Sequence, residues 1–247
     1  MPPPLVYLDN NATTAVAPEV IAAMEPFFAA KWGNPSSMHR FGGQVMRDVE
    51  EARARVAALI HADPAEIVFT SCGTESNNMA IYGAAEILGP SAAILTSRVE
   101  HPAVLGPCRH FHDDHGYRVV EIGVDGGGRL DLDMLRDELR NGPALVSLMW
   151  ANNETGVLFQ MEEIAGIVKS AGAVLHTDAV QAVGKVPVDV RRVPVDMLSF
   201  AGHKLHAPKG IGVLYIRRGT RLKTYMIGGH QEHGRRGGTE NVPYIAG

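Results

Sequence analysis

Two residues in the second half of the chain have the chemistry to hold an aromatic aldehyde between them. Lys204 comes shortly after the apolar run 197–200, so its amine can stand at the end of a buried strand. Burial and nearby positive charge lower the pKa of an amine, which favours the neutral nucleophile that Schiff-base formation needs. Asp178 follows a strand predicted at 174–176, where a buried carboxylate needs a cation such as a protonated ring nitrogen. Taken singly, a surface lysine and a helix-capping aspartate are the alternatives.

A third cluster, residues 70–78, follows the short apolar run 67–69 and opens a predicted helix. Its small hydroxyl residues and Gly73 would present backbone N–H groups to an anion such as phosphate, and the helix dipole favours the same charge. The alternative is a helix N-cap with a capping box, which needs only Ser71 or Thr74.

Two more polar residues, His101 and Asn153, come after further predicted strands. A lone histidine in that position is more often a helix cap, whereas an asparagine supplies donors for a ring hydroxyl or phenolate. The phosphate loop, His101, Asn153, Asp178 and Lys204 occur in this order, each after a strand. Parallel sheets bind ligands at the carboxyl ends of their strands, so the joint pattern predicts one site there.

The elements that would position these residues alternate between short apolar strands and amphipathic helices. This alternation predicts an α/β fold with a mainly parallel sheet flanked by helices. Residues up to 17 are predicted to be extended, and the tail after residue 228 irregular, with no closing helix or strand. The predicted strands are 67–70, 93–96, 118–122, 144–149, 174–176, 197–200 and 212–216, and the predicted helices 44–60, 75–88, 102–112, 132–139 and 162–171.

The composition narrows the functional classes further. The 247 residues carry a net charge of -4, which argues against a nucleic-acid-binding surface. No apolar run is long enough to span a membrane, and a cytoplasmic location is the expectation. The two cysteines, Cys72 and Cys108, do not form a disulfide framework, and the histidine-rich segment 108–115 matches no zinc-ligand spacing, so no metal is expected.

Several motifs resemble the class V aminotransferase-fold enzymes, which depend on pyridoxal phosphate (PLP), and within them the cysteine desulfurases. Cys-Gly-Thr-Glu-Ser at 72–76 and His-Lys-Leu-His-Ala-Pro-Lys-Gly at 203–210 are most similar to the nitrogen-fixation type, NifS. The resemblance spans nearly the whole chain, through residues 7–14, 33–37, 72–78, 100–104, 176–185, 202–210 and 237–242.

The resemblance implies the PLP-dependent transferase type I fold, with residues 18–247 as the PLP-binding large domain and residues 1–17 belonging to a small domain. It implies that PLP is bound covalently to Lys204, which later shuttles protons, while Asp178 pairs with the ring nitrogen and His101 stacks on the ring and assists acid–base steps. The remaining cofactor-binding residues it implies are Gln181 and Asn153 near the ring oxygen; Gly73, Thr74, Ala201, Gly202 and His203 around the phosphate; and Thr239, which would reach the phosphate of the neighbouring subunit of a homodimer.

The reaction that the resemblance implies converts L-cysteine to L-alanine and leaves a persulfide on an enzyme cysteine, for transfer to an iron–sulfur scaffold protein. Ala201 departs from the serine that many relatives carry there. The family's persulfide cysteine and its substrate-binding arginine lie in a C-terminal region without counterpart here, so the small C-terminal domain is expected to be missing and the isolated chain inactive. The alternatives are another class V enzyme, such as a selenocysteine lyase or an aminotransferase, and a non-catalytic PLP-binding fragment.

Overall fold

A sheet of seven strands forms the centre of the computed structural model, which describes residues 6–247. The strand order is β1-β7-β6-β5-β4-β2-β3, and β7 runs antiparallel to the other six strands, which are parallel to one another. The strands are β1 (Ile67–Thr70), β2 (Ala93–Ser97), β3 (Val119–Ile122), β4 (Ala144–Met149), β5 (Val174–Asp178), β6 (Met197–Ala201) and β7 (Gly212–Ile216). The predicted mainly parallel sheet is confirmed.

Helices cover both faces of the sheet. Within residues 6–247 they are α1 (Pro18–Met24), α2 (Pro26–Ala29), α3 (Arg40–Leu59), α4 (Gly73–Leu88), α5 (Pro102–His115), α6 (Leu132–Leu139), α7 (Met161–Ser170) and α8 (Val242–Ala246). Alternate residues of a strand pack into two separate hydrophobic cores, because successive side chains of a strand point to opposite faces of the sheet. Ile67 and Phe69 pack with α3, whereas Val68 packs with α4 and α5.

Two parts of the chain differ from the sequence predictions, and a third agrees with them. The tail was predicted to have no closing helix, but residues 242–246 form α8, whose Val242 and Ile245 are buried. Residues 18–29 form α1 and α2, each with proline in its first turn, and the apolar pattern there was too short to predict them. Residues 6–17 contain no helix or strand, as predicted, and residues 1–5 of that predicted segment lie outside the described residues.

Close backbone contact brings β7 against the start of α4. A Cβ atom added at Gly212 would lie 2.4 Å from the carbonyl carbon of Cys72, so only glycine fits there. The Gly210–Gly212 pattern therefore reflects packing of a strand, consistent with its position before β7 rather than before a helix. No helix in the described part of the chain is long and apolar enough to cross a lipid bilayer.

Three central strands are joined by side chains as well as by their backbones. His176 of β5 is fully buried, with Nδ1 2.8 Å from Ser147 Oγ of β4 and Nε2 3.0 Å from Ser199 Oγ of β6. Burial lowers the pKa of His176 to about 3, so the ring is neutral in the folded protein. The two serine hydroxyls satisfy both ring nitrogens without a charge.

This histidine makes the fold sensitive to acid. The unfolded chain binds a proton at His176 below its ordinary pKa, whereas the folded protein resists protonation down to about pH 3. Its contribution is complete above about pH 6.5 and is lost as the pH falls towards 3, at up to about 1.4 kcal/mol per pH unit. In urea unfolding at a series of pH values, we expect His176→Gln to lose stability less steeply than the wild type over that range. His230→Gln, at an exposed histidine, is the control, and parallel curves for wild type and His176→Gln would contradict the prediction.

Candidate active site

A cavity of about 770 Å³ lies where the carboxyl ends of the parallel strands meet. It brings together nine of the eleven residues that the sequence predicted for the site: Gly73, Thr74, His101, Asn153, Asp178, Gln181, Ala201, His203 and Lys204. These residues come from five separate stretches of the chain, which the sheet holds side by side.

Asp178, the last residue of β5, presents a buried carboxylate to the cavity. Its Oδ2 accepts a hydrogen bond from Asn77 Nδ2 at 2.7 Å, and its Oδ1 accepts one from the backbone N–H of Val180 at 3.0 Å. Burial raises the pKa of Asp178, while these two donors and the nearby His101 and Lys204 act in the opposite direction. The carboxylate is thus fixed in place and is electrostatically suited to a cationic partner.

Lys204 lies in the short 3₁₀ turn that follows β6, and its amine points into the same cavity. Burial lowers the pKa of the amine, and the positive charge of Lys185 lowers it further, against the opposing effects of Asp9 and Asp178. The amine donates hydrogen bonds to the backbone carbonyl oxygens of Asn11 and Ala12, the second at 2.8 Å. A depressed pKa is the property that a Schiff-base lysine needs.

Residues 9–14 lie along the mouth of the cavity, and we call them the N-terminal strap. Asn11 makes most of its contacts: its backbone oxygen also accepts from Gln181 Nε2 at 2.9 Å, and its Nδ2 donates to the backbone oxygen of Asn153 at 3.1 Å. The amine of Lys185 lies 3.4 Å from Asn11 Oδ1. One strap residue therefore contacts three of the polar clusters around the cavity.

The other end of the strap is held by the backbone of His203. The backbone N–H and hydroxyl of Thr14 both donate to the His203 carbonyl oxygen, at 2.9 and 3.0 Å. His203 Nδ1 lies 3.2 Å from the hydroxyl of Thr13. Burial and the charges of Lys204 and Lys209 lower the pKa of His203, so its ring favours the neutral form.

The N-terminus of α4 forms one wall of the cavity. Cys72 caps this helix, because its sulfur accepts from the backbone N–H of Glu75 at 3.4 Å. The sequence offered Ser71 or Thr74 as the cap, and neither is used in that way. Gly73 and Thr74 lie in the first turn, where backbone N–H groups have no partner within the helix. They are available to an anion in the cavity.

His101 combines the two roles that the sequence left open. Its Nδ1 accepts from the backbone N–H of Ala103 at 3.1 Å, which makes it the N-cap of α5, and it also lines the cavity. In the neutral ring this bond places the proton on Nε2. Capping orients the imidazole and leaves its other edge for a ligand.

Two predicted site residues do not line the cavity. Gly202 lies between Ala201 and His203, and an added Cβ would meet Ile211 Cγ2 at 2.6 Å, so this glycine permits the tight turn that presents Lys204. Thr239 lines a separate cavity of about 240 Å³ together with Ser71. Its predicted role towards a neighbouring subunit stays a prediction.

Several residues at the site were not singled out from the sequence. Asn77 and Asn11 lie inside the recognised motifs, but their long-range partners, Asp178 and Lys204, are 101 and 193 positions away. Asn77 could have been identified from the sequence because it is a polar residue on the buried, sheet-facing side of α4. Four other residues at or beside the site were also not singled out from the sequence. Asp9 and Met149 line the cavity, whereas Glu100 and Lys185 act on residues that line it.

The donor set fits PLP. The cavity offers an amine for an aldehyde, a buried carboxylate for a ring nitrogen, and free N–H groups at a helix N-terminus for a phosphate. A Cβ added at Gly73 would lie 3.1 Å from Val180 and 3.4 Å from Ala201, so the absence of a side chain there keeps the wall open. Asn77 Oδ1, fully buried, has no hydrogen-bond partner in the described structure.

The two cysteines lie in different surroundings, and Cys72 is half-buried and lines the cavity. Cys108 is buried in α5, and burial raises the pKa of its thiol to about 12. Cys72 uses its sulfur as a helix cap. In residues 6–247, no group of three or more metal-binding side chains converges on one point.

Comparisons with known proteins agree with this site. The aminotransferase class-V family matches residues 6–247. Over 243 residues the chain is 55% identical to a cysteine desulfurase of Trichormus azollae, and over 243 residues 54% identical to the cysteine desulfurase NifS of Azotobacter vinelandii. Each alignment covers 98% of this chain and 60% of the relative, so the chain spans about three-fifths of their length.

Solved structures give the same result. A NifS-like protein superposes with a TM-score of 0.94 at 40% identity, covering 98% of this chain and 67% of that one. A structure described as SspA in complex with cysteine superposes with a TM-score of 0.94 at 35% identity, covering 98% of this chain and 70% of that one. The chain belongs to the class-V aminotransferase family, whose members depend on PLP, and the relatives it matches over nearly its whole length are cysteine desulfurases.

Proposed function

We propose that this chain is the cofactor-binding part of a cysteine desulfurase of the nitrogen-fixation type. The observation that carries the proposal is the convergence of Asp178 and Lys204 on one cavity at the carboxyl edge of the sheet. The amine and the carboxylate reach it from consecutive strands of the sheet, β6 and β5, which lie side by side. Such a pair can hold the two ends of one pyridine ring.

Each part of the cavity would hold one part of PLP. Lys204 would bind the cofactor covalently, Asp178 would pair with the ring nitrogen, and His101 would stack on the ring. Asn153 and Gln181 would lie near the ring oxygen, and Gly73, Thr74 and His203 would hold the phosphate, with Thr239 reaching from the neighbouring subunit of a homodimer. Ala201 and Gly202 would also belong to the cofactor site, without a side-chain hydroxyl for the phosphate. When bound, PLP serves as an electron sink for the carbon next to the substrate amine.

The chain's own groups would manage the protons of the reaction. Burial and the charge of Lys185 lower the pKa of Lys204, which makes loss of a proton from Nζ easier and would suit this amine to proton transfer. Asp178 would keep the proton on the ring nitrogen because its carboxylate is already oriented by Asn77 and Val180. The N-terminal strap orients the Lys204 amine through the backbone carbonyl oxygens of Asn11 and Ala12.

The substrate we propose is L-cysteine, which is converted to L-alanine. The support is the activity named for the relatives and the cysteine bound in one similar structure. The sulfur would pass as an enzyme persulfide to an iron–sulfur scaffold protein in the cytoplasm. The persulfide cysteine would lie in the part of the relatives that this chain does not span, because Cys108 is buried and Cys72 caps a helix.

We also propose a division into domains. Residues 18–247 would form the PLP-binding large domain, and residues 1–17 would belong to a small domain. The described part of the first segment, residues 6–17, has no regular structure of its own and is tied to the large domain through Asn11 and Thr14. This behaviour is expected of a segment that crosses between two domains.

Covalent attachment provides the first test. With PLP added, we expect the purified chain to become yellow, and borohydride reduction followed by peptide mass spectrometry to place the cofactor on Lys204. Lys204→Ala should abolish the attachment, because the amine at the cavity is removed. Lys209→Ala, at an exposed lysine nearby, is the control. An unchanged yellow species in Lys204→Ala would show that another residue carries the cofactor.

The second test concerns Lys185, whose charge acts on Lys204. Removing it in Lys185→Met should raise the pKa of Lys204, because a neighbouring positive charge no longer opposes protonation. The measurement is the pH dependence of acetic anhydride labelling at Lys204, followed by mass spectrometry on the cofactor-free chain. Lys209→Met should leave the labelling midpoint of Lys204 in place. If the labelling midpoint of Lys204 is also unchanged in Lys185→Met, Lys185 does not lower the pKa of Lys204.

The third test addresses turnover. We expect the 247 residues loaded with PLP to release no more alanine from L-cysteine than the Lys204→Ala variant, because no thiol suited to accept the sulfur is available. The assay follows alanine and sulfide over time, and a chain with Cys72 and Cys108 replaced by serine is the matched control. Turnover that survives both replacements would contradict the proposed location of the persulfide cysteine.

A further inference from the structure

Glu100 is a buried carboxylic acid directly before His101 whose role is not explained by the cofactor site. Its side chain is fully enclosed at the carboxyl ends of two neighbouring parallel strands. Oε1 accepts a hydrogen bond from Ser97 Oγ at the end of β2, at 2.7 Å, and another from the backbone N–H of Met149 at the end of β4, at 2.8 Å. One oxygen atom therefore links both strand ends, and Met149 itself lines the cavity.

The second oxygen of Glu100 is in a different situation. Oε2 is buried and has no hydrogen-bond partner among residues 6–247. None of the ion pairs formed by the described residues includes Glu100. The titratable groups that face it are Asp178 from β5 and the neutral thiol of Cys108 from α5, with His101 next in sequence. An anion in this position would be desolvated, without a cation, and would face a second carboxylate.

Asp178 is better placed than Glu100 to carry the negative charge. Each of its two oxygens accepts an N–H hydrogen bond, and Lys204 acts on it as a positive neighbour. Burial raises the pKa of Glu100 to about 8, with a further contribution from Asp178 and opposing effects from Met149 and Ser97. When two buried carboxyl groups interact, the one with the weaker support takes the proton.

We propose that Glu100 carries a proton at neutral pH and acts as a neutral positioning residue, which holds His101 by joining the ends of β2 and β4. The proton removes the repulsion that a second carboxylate would exert on Asp178. The two bonds to Oε1 fix the segment between Ser97 and the start of α5, which contains His101. The role towards His101 rests on the proposed function, whereas the protonation state does not.

Infrared spectroscopy tests the proton directly, with no cofactor present. In the difference spectrum between the wild type and Glu100→Gln at neutral pH, we expect the C=O stretch of a protonated carboxylic acid. It should disappear as the pH is raised well above 8. A difference spectrum that contains only carboxylate bands at neutral pH would overturn the proposal.

Stability as a function of pH gives an independent measurement. A carboxyl group whose pKa is raised by folding stabilises the protein below its unfolded pKa, and that contribution is lost as the pH rises through the folded value of about 8. Between about pH 6.5 and 8, where His176 is neutral in both states, the unfolding constant of the wild type should rise by up to about tenfold per pH unit. Glu100→Gln should lack this rise, while Glu121→Gln on neighbouring β3 should keep it. Equal slopes in the wild type and Glu100→Gln would contradict a buried proton.

Cofactor binding tests the positioning role. Glu100→Ala removes both hydrogen bonds to Oε1 and should weaken PLP binding roughly tenfold, and shift the pH profile of cofactor absorbance. Glu100→Gln keeps an acceptor at Oε1 and a neutral group at Oε2, so its affinity and profile should remain close to those of the wild type. If Glu100→Gln weakens PLP binding as much as Glu100→Ala does, the proposal that Glu100 acts as a neutral residue is wrong. If the wild type itself does not bind PLP, the proposed function fails, and the infrared and unfolding results still decide the state of Glu100.

Discussion

The structure of the site depends on one electrostatic constraint: a carboxylate and an amine must share a cavity without neutralising each other by direct contact. Asp178 is held by Asn77 and Val180, and Lys204 by the carbonyl oxygens of the N-terminal strap, so each group has its own partners. The space between them stays open as part of a cavity of about 770 Å³. The parallel sheet makes this possible, because the ends of β5 and β6 lie side by side and deliver both residues to the same edge.

A second lysine, Lys185, contributes to this balance. Asp9 and Asp178 by themselves would raise the pKa of Lys204 and favour the unreactive ammonium form. Lys185 opposes them from the far side of Asn11, and burial contributes the larger part of the downward shift. Within the strap, Asn11 contacts both amines: its side-chain oxygen lies near Lys185, and its backbone oxygen accepts from Lys204. The position of the Lys204 amine and the approach of Lys185 thus depend on the same short segment.

The sequence was sufficient to predict the parts of the site that follow strands. Lys204, Asp178 and His101 could be found because apolar strands are recognisable and their carboxyl ends must meet. Contacts between distant segments could not be found: the bond from Lys204 to Asn11 joins residues 193 positions apart, and no local pattern encodes it. The sulfur cap at Cys72 was missed because hydroxyl residues on either side are the usual caps. Helix α8 was missed because its apolar positions, Val242 and Ile245, are too few to form a recognisable period.

The polar groups beneath the site show why Asp178 can serve as a selective partner for a cation. His176 lies two positions before Asp178 on β5; burial keeps its ring neutral, and Ser147 and Ser199 contact both ring nitrogens. Glu100 binds the backbone of Met149, which pairs with Asp178 across the sheet. A second charge of either sign at these positions would compete for the cation or repel it over a few ångströms of low-dielectric interior. Because His176 and Glu100 are neutral, the negative charge of Asp178 acts mainly on groups in the cavity. The charge of the site is then determined by the residues that face the ligand.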